Sequence, residues 1–80
     1  MNDEISKIRQ ESAKIRIGKN GITENIVVEV ENILKKNNLI KVKCLKVIPN
    51  ENTRLIAENI AKLTKSKIVE IRGKTFILEK

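Results

Sequence analysis

Two of the three glycines in this 80-residue chain bracket a cation and an amide, in Gly18-Lys19-Asn20-Gly21. Glycine has no Cβ, so the backbone of such a stretch can lie directly against another molecule. Lysine brings a point charge to a phosphate, and the asparagine amide donates to a phosphate or a sugar hydroxyl. Thr23 suits the N-cap of a helix that follows, with Glu24 behind it, and the start of that helix adds free backbone N–H groups. This chemistry is electrostatic and geometric. It grips a nucleic-acid backbone and breaks no bond. The same residue types also make a plain tight turn, and from the loop by itself the two readings are balanced.

Other cations are spaced to extend the grip. Lys14 and Arg16 alternate with Ile15 and Ile17 just ahead of the loop. Lys41 and Lys43 alternate with Ile40, Val42 and Cys44 further on, and Lys74 stands beside Gly73. An ordinary solvated face explains Lys41 and Lys43 equally well. It also serves for Lys7, Arg9 and Lys74, and for Lys62, Lys65 and Lys67 near a helix end. Bond-making chemistry has little to work with. There is no histidine and a single cysteine, Cys44, so neither a zinc ligand set nor an internal disulfide is available. Glu24, Glu29 and Glu31 read as the solvated side of a helix. No catalysis, cofactor or metal is expected. Phe76, the one aromatic residue, cannot build a base-stacking platform and is expected in the core, as is Cys44.

Composition bounds the rest. The net charge is +7, with 34% charged and 40% hydrophobic residues and a pI near 9.8. Such an excess of positive charge on a small chain points to a polyanionic partner. A chain this short buries only about 60–65% of its unfolded surface, so one thin aliphatic core is expected, in one domain over residues 1–80. No apolar run approaches the ~20 residues that span a bilayer. The start, Met1-Asn2-Asp3-Glu4, is unlike a secretory signal, and the cytoplasm is expected.

The elements that must carry these residues follow from periodicity. Residues 3–13 read as a short helix with a weak apolar side (Ile5, Ile8, Ala13). Residues 14–17 alternate as a strand with one basic side. Residues 23–37 admit two readings. Ile26, Val27, Val30, Ile33 and Leu34 form a helical stripe, which is preferred; Asn20-Gly21 between β-prone runs would instead start a hairpin. Residues 39–47 are the clearest strand. Pro49-Asn50 breaks the chain, Asn52 or Thr53 suits the next helix cap, and Leu55, Ile56, Ala57, Ile60, Ala61 and Leu63 carry that helix to about residue 65. Residues 67–72 and 75–79 read as strands joined by a tight turn at Gly73. The order is α-β-α-β-α-β-β. It implies a small two-layer α/β domain with helices packed on a four-stranded mixed sheet.

Ile17-Gly18-Lys19-Asn20-Gly21-Ile22-Thr23-Glu24 resembles the signature loop of the CRM domain family, whose stand-alone members are the YhbY-like proteins. Leu39-Ile40-Lys41-Val42-Lys43 is similar to that family's second strand, and Gly73-Lys74-Thr75-Phe76-Ile77-Leu78 to its closing hairpin. The resemblance covers nearly the whole chain. It implies an RNA-binding α/β fold related to the C-terminal domain of translation initiation factor three. For a stand-alone member it implies association with ribosomal RNA of the large-subunit precursor, rather than with intron RNA. One departure is the ending at Glu79-Lys80, without an aromatic or arginine-rich tail. The Gly-x-x-Gly loop also resembles that of KH domains, where it joins two helices; the strand-like alternation of residues 14–17 favours the CRM arrangement.

The resulting expectation is a monomeric, non-enzymatic binder of structured RNA. It acts through Gly18, Lys19, Asn20, Gly21, Thr23, Lys14, Arg16, Lys41, Lys43 and Lys74, with backbone and shape recognition in place of base stacking. DNA binding shares the charge argument. A membrane-surface or protein-docking module would need a strongly amphipathic basic helix, which the first helix is too weakly apolar to supply.

Overall fold

The computed structural model describes residues 3–80; Met1 and Asn2 of the polar start lie outside them. The elements are α1 (Asp3–Gln10), β1 (Ile15–Ile17), α2 (Glu24–Lys36), β2 (Leu39–Cys44), α3 (Asn50–Thr64), β3 (Lys67–Arg72) and β4 (Thr75–Glu79). This is the expected order. The strands line up as β1-β2-β4-β3: β1 runs parallel to β2, and β4 is antiparallel to both β2 and β3.

Alternation decides which side of the sheet is buried. Ile15, Ile17, Ile40, Val42, Cys44, Phe76 and Leu78 point one way and meet Val30 and Leu34 of α2 and Ala57, Ile60 and Ala61 of α3. Phe76 and Cys44 are fully buried there, as their types suggested. Residues 23–37 resolve as a helix. The Thr23 hydroxyl accepts a hydrogen bond from the Ile26 N–H at 3.2 Å and so caps α2.

α1 lies on the opposite side of the sheet. Lys41 donates to the carbonyls of Arg9 and Glu11 at 2.8 and 2.9 Å, which satisfies acceptors left over at the end of α1. Arg9 grips Glu70 of β3 through Nε and Nη2, at 2.7 to 3.0 Å. Ile77 stands between Lys41 and Glu70 in the ladder and is 2% exposed. Among the described residues, no helix is long and apolar enough to cross a membrane.

Three local expectations need correction. α1 stops at Gln10 instead of residue 13, because the chain bends at Glu11 and its carbonyls turn to Lys41. β2 stops at Cys44 instead of residue 47. Leu45 N–H still bonds to Ile17 O, but β1 ends at Ile17, so the next residues have no strand beside them; they fold into a turn closed by Ile48 N–H to Leu45 O at 3.0 Å. Neither Asn52 nor Thr53 caps α3. Pro49, with φ fixed at −59°, is the N-cap and offers no side-chain hydrogen bond. Thr53 is thereby carried into the core, 1% exposed. It lies by the Cys44 thiol, whose pKa is pushed up by burial, against smaller opposing effects of Thr53 and Lys74.

Candidate nucleic-acid interface

Because β1 and β2 are parallel, both leave the sheet at the same end. β4 starts at that end, so the β3–β4 turn sits there as well. Three connections converge: the Gly18-Lys19-Asn20-Gly21 loop, the turn after β2, and Gly73-Lys74. In an α/β sheet the carboxyl ends of parallel strands are where ligands bind.

The glycine loop is a tight turn, closed by Gly21 N–H to Gly18 O at 2.9 Å. Its tip residues, Lys19 and Asn20, are exposed. The two glycines differ in what the fold asks of them. Gly21 has φ +67°, in the left-handed region that strains a side-chain-bearing residue. Gly18 has no such angle, and a Cβ there would stand 3.6 Å from Leu45 Cδ1, an ordinary contact. The loop joins β1 to α2, a strand to a helix, and so differs from a KH loop.

Strand register lays a basic row across the side of the sheet that faces away from α2 and α3. Arg16 pairs with Lys43, Lys43 with Thr75, and Thr75 with Arg72, one residue from each strand in spatial order. Arg16, Lys43 and Arg72 are all exposed. With strands about 4.8 Å apart, the row spans roughly 14 Å and ends beside the convergent loops. Arg72 was not singled out from sequence. Its signal was present, since a two-residue turn at Gly73-Lys74 forces Arg72 opposite Thr75, but the link from Thr75 to Lys43 is long-range pairing.

The structure does not bring all the expected cations together. Arg16, Lys19 and Lys43 lie at the loop end. Lys14, at the amino end of β1, lines instead a groove between α1 and the C-terminal end of α2, with Lys7 and Lys36. Lys41 is half-buried, its ammonium held by the α1 carbonyls. Lys74 is also half-buried and donates to the carbonyls of Leu45 (3.4 Å) and Ile48, bracing the turn after β2 from inside. The Thr23 hydroxyl accepts from Ile26 N–H and keeps its own proton to donate. Glu24 and Glu51 stand in the first turns of α2 and α3, where they offset the positive helix ends. The positive field at this end therefore comes from side chains at turn tips and on the row more than from helix dipoles. No group of three or more His, Cys, Asp or Glu side chains among the described residues is placed to hold a metal ion.

A curated RNA-binding protein of Haemophilus influenzae is 36% identical over 64 residues, 80% of this chain and 64% of that protein. The matched segment thus spans under two thirds of that relative's length. The fold is also that of a solved Staphylococcus aureus protein of hypothetical standing, described as a candidate RNA-binding protein. That likeness has a TM-score of 0.79 and 26% identity, over 95% of this chain and 78% of that one. The profile of the CRS1 / YhbY (CRM) domain matches residues 4–80, and the chain belongs to that family.

Proposed function

We propose that this protein binds structured RNA as a monomeric single-domain module in the cytoplasm, with ribosomal RNA of the large-subunit precursor as its target and no catalysis of its own. Family membership and the relative that carries an RNA-binding name support the general reading. The observation that carries the site is Gly18: a glycine whose own backbone would accept a side chain, between a basic strand and an exposed Lys19-Asn20 tip. Absence of Cβ there leaves the main chain open to close approach by a phosphate or ribose.

In this reading Lys19 neutralises a phosphate and Asn20 donates to a phosphate or a 2′-hydroxyl. Gly21 sets the turn, and Thr23 can donate its hydroxyl proton. Arg16 and Lys43 carry the contact onto the sheet, with Arg72 at its far edge. Lys41 and Lys74 contribute chiefly by holding α1 and the turn after β2 in place, and Lys14 supplies charge from the far end of the strand. With its single aromatic residue buried, the protein tracks backbone and shape rather than stacked bases.

The test is titration of large-subunit ribosomal RNA fragments and of duplex DNA across a salt series. Structured RNA binds more tightly, and the affinity falls steeply with salt. Lys19→Ala weakens binding without lowering the melting temperature. Equal affinity for duplex DNA overturns the RNA reading. Sedimentation of cell extract tests the target: accumulation on immature large subunits is expected, and absence from them points to another RNA.

A further inference from the structure

The turn at residues 45–48 mirrors the glycine loop. Each follows a strand of the parallel pair, each is closed by a hydrogen bond between its first carbonyl and its fourth N–H, and each is followed by a helix, α2 or α3. Each also carries a lysine at its second position, Lys19 in one and Lys46 in the other, both exposed. The strands that deliver them are paired up to Ile17 and Cys44, and Leu45 N–H bonds to Ile17 O at 2.9 Å. The two turns thus leave neighbouring strands about 5 Å apart. Leu45 reaches toward the glycine loop, since its Cδ1 is the atom that a Cβ at Gly18 would meet.

The 45–48 turn is braced from inside and has an apolar tip. Lys74 holds the carbonyls of Leu45 and Ile48, and Ile48 is anchored in the core. Val47 is 62% exposed, beside Leu45 at 36%. A turn already fixed in place loses little entropy when it binds.

We infer that the 45–48 turn is a second backbone-gripping tip, with Lys46 on a phosphate near the one Lys19 holds and Val47 against the sugar between them. The inference rests on the RNA-binding reading above and extends it from one loop to a pair. Charge complementarity names the occupant, because Lys46 continues the positive surface of Lys19, Arg16 and Lys43, and a phosphodiester chain presents alternating anionic and apolar groups to match Lys46 and Val47.

The probe is an RNA hairpin with a stem of about 16 base pairs, titrated over a salt series. Lys46→Ala weakens binding roughly tenfold and makes the salt slope shallower by about one, as expected for one phosphate contact. Val47→Ser weakens it roughly threefold with the slope unchanged, because the lost contact is apolar. Both residues are exposed, so neither variant changes the melting temperature. Lys62→Ala, in the last turn of α3, removes the same charge elsewhere and leaves binding at the parent value. Loss for Lys19→Ala with parent-like affinity for Lys46→Ala and Val47→Ser overturns the second tip while sparing the first. Equal loss for Lys46→Ala and Lys62→Ala also overturns it, as a net-charge effect. Failure of the parent to bind the hairpin overturns both readings.

Discussion

Gly18→Ala separates folding from binding, because the structure assigns that glycine no conformational duty. Its φ lies outside the left-handed region, and the added methyl meets Leu45 Cδ1 at 3.6 Å without a clash. Replacing glycine where alanine fits stabilises a protein by about 0.4–1 kcal/mol, through the entropy of the unfolded chain. For a domain of this size that raises the melting temperature by roughly 2–6 °C. If RNA lies against the main chain at Gly18, as proposed, the same methyl also weakens binding, by about tenfold or near 1.4 kcal/mol, through loss of the close approach. Gly21→Ala is the contrasting variant. At φ +67° the substitution costs about 1–2 kcal/mol and lowers the melting temperature by roughly 6–12 °C. Thermal unfolding followed by circular dichroism, with RNA titration at constant salt, reads both quantities. If Gly18→Ala is stabilised and binds RNA like the parent, then close backbone approach at Gly18 is not how the loop works. If it is destabilised, the claim that the fold leaves this position free is wrong.

Further outcomes follow from the same structure. Hydrogen bonds from Arg9 hold the Glu70 carboxyl below its ordinary value of 4.5, so the contribution of this pair to the docking of α1 is fully present above that pH and is lost as pH falls through the lower folded value, while the Lys41 hydrogen bonds remain. Amide exchange in α1 detects the release, and Glu70→Gln removes its pH dependence. Arg72→Ala reduces RNA affinity and makes the salt slope shallower by about one, with melting unchanged, if the row extends to the sheet edge. Phe76→Ala empties a fully buried site and costs about 3–5 kcal/mol, a large share of the roughly 4–12 kcal/mol available to 80 residues; chemical denaturation measures it.

Much of the fold is readable from local pattern, because the forces that make a helix or a strand act over a few residues. Period-two alternation in Ile15–Ile17 and Leu39–Cys44 separates core side from basic side, and the structure keeps that separation. Thr23 caps its helix because the acceptor and the Ile26 N–H are three residues apart, a distance the sequence contains. Phe76 is buried because period-two alternation in β4 places it with Leu78 on the core side. The failures were also local in form but had distant causes. β2 ends early because its parallel neighbour does, α1 ends early because a lysine thirty-two positions from Arg9 takes its carbonyl, and Thr53 is drawn from a capping role into the core by the angle at which Pro49 starts α3.

The glycine loop and its flanking charges were therefore determined by the sequence itself: residue types, a strand before, a capped helix after. Which cations are free to meet a ligand was decided by tertiary structure. Lysines at 41 and 74 look like those at 19, 43 and 46 in the sequence, yet two are tied to backbone carbonyls and three are exposed. The same holds for the partnership of Arg16, Lys43 and Arg72, and for the pairing of the two turns. These depend on strand order and register, set by burying one side of the sheet against α2 and α3, and that burial is a property of the whole chain.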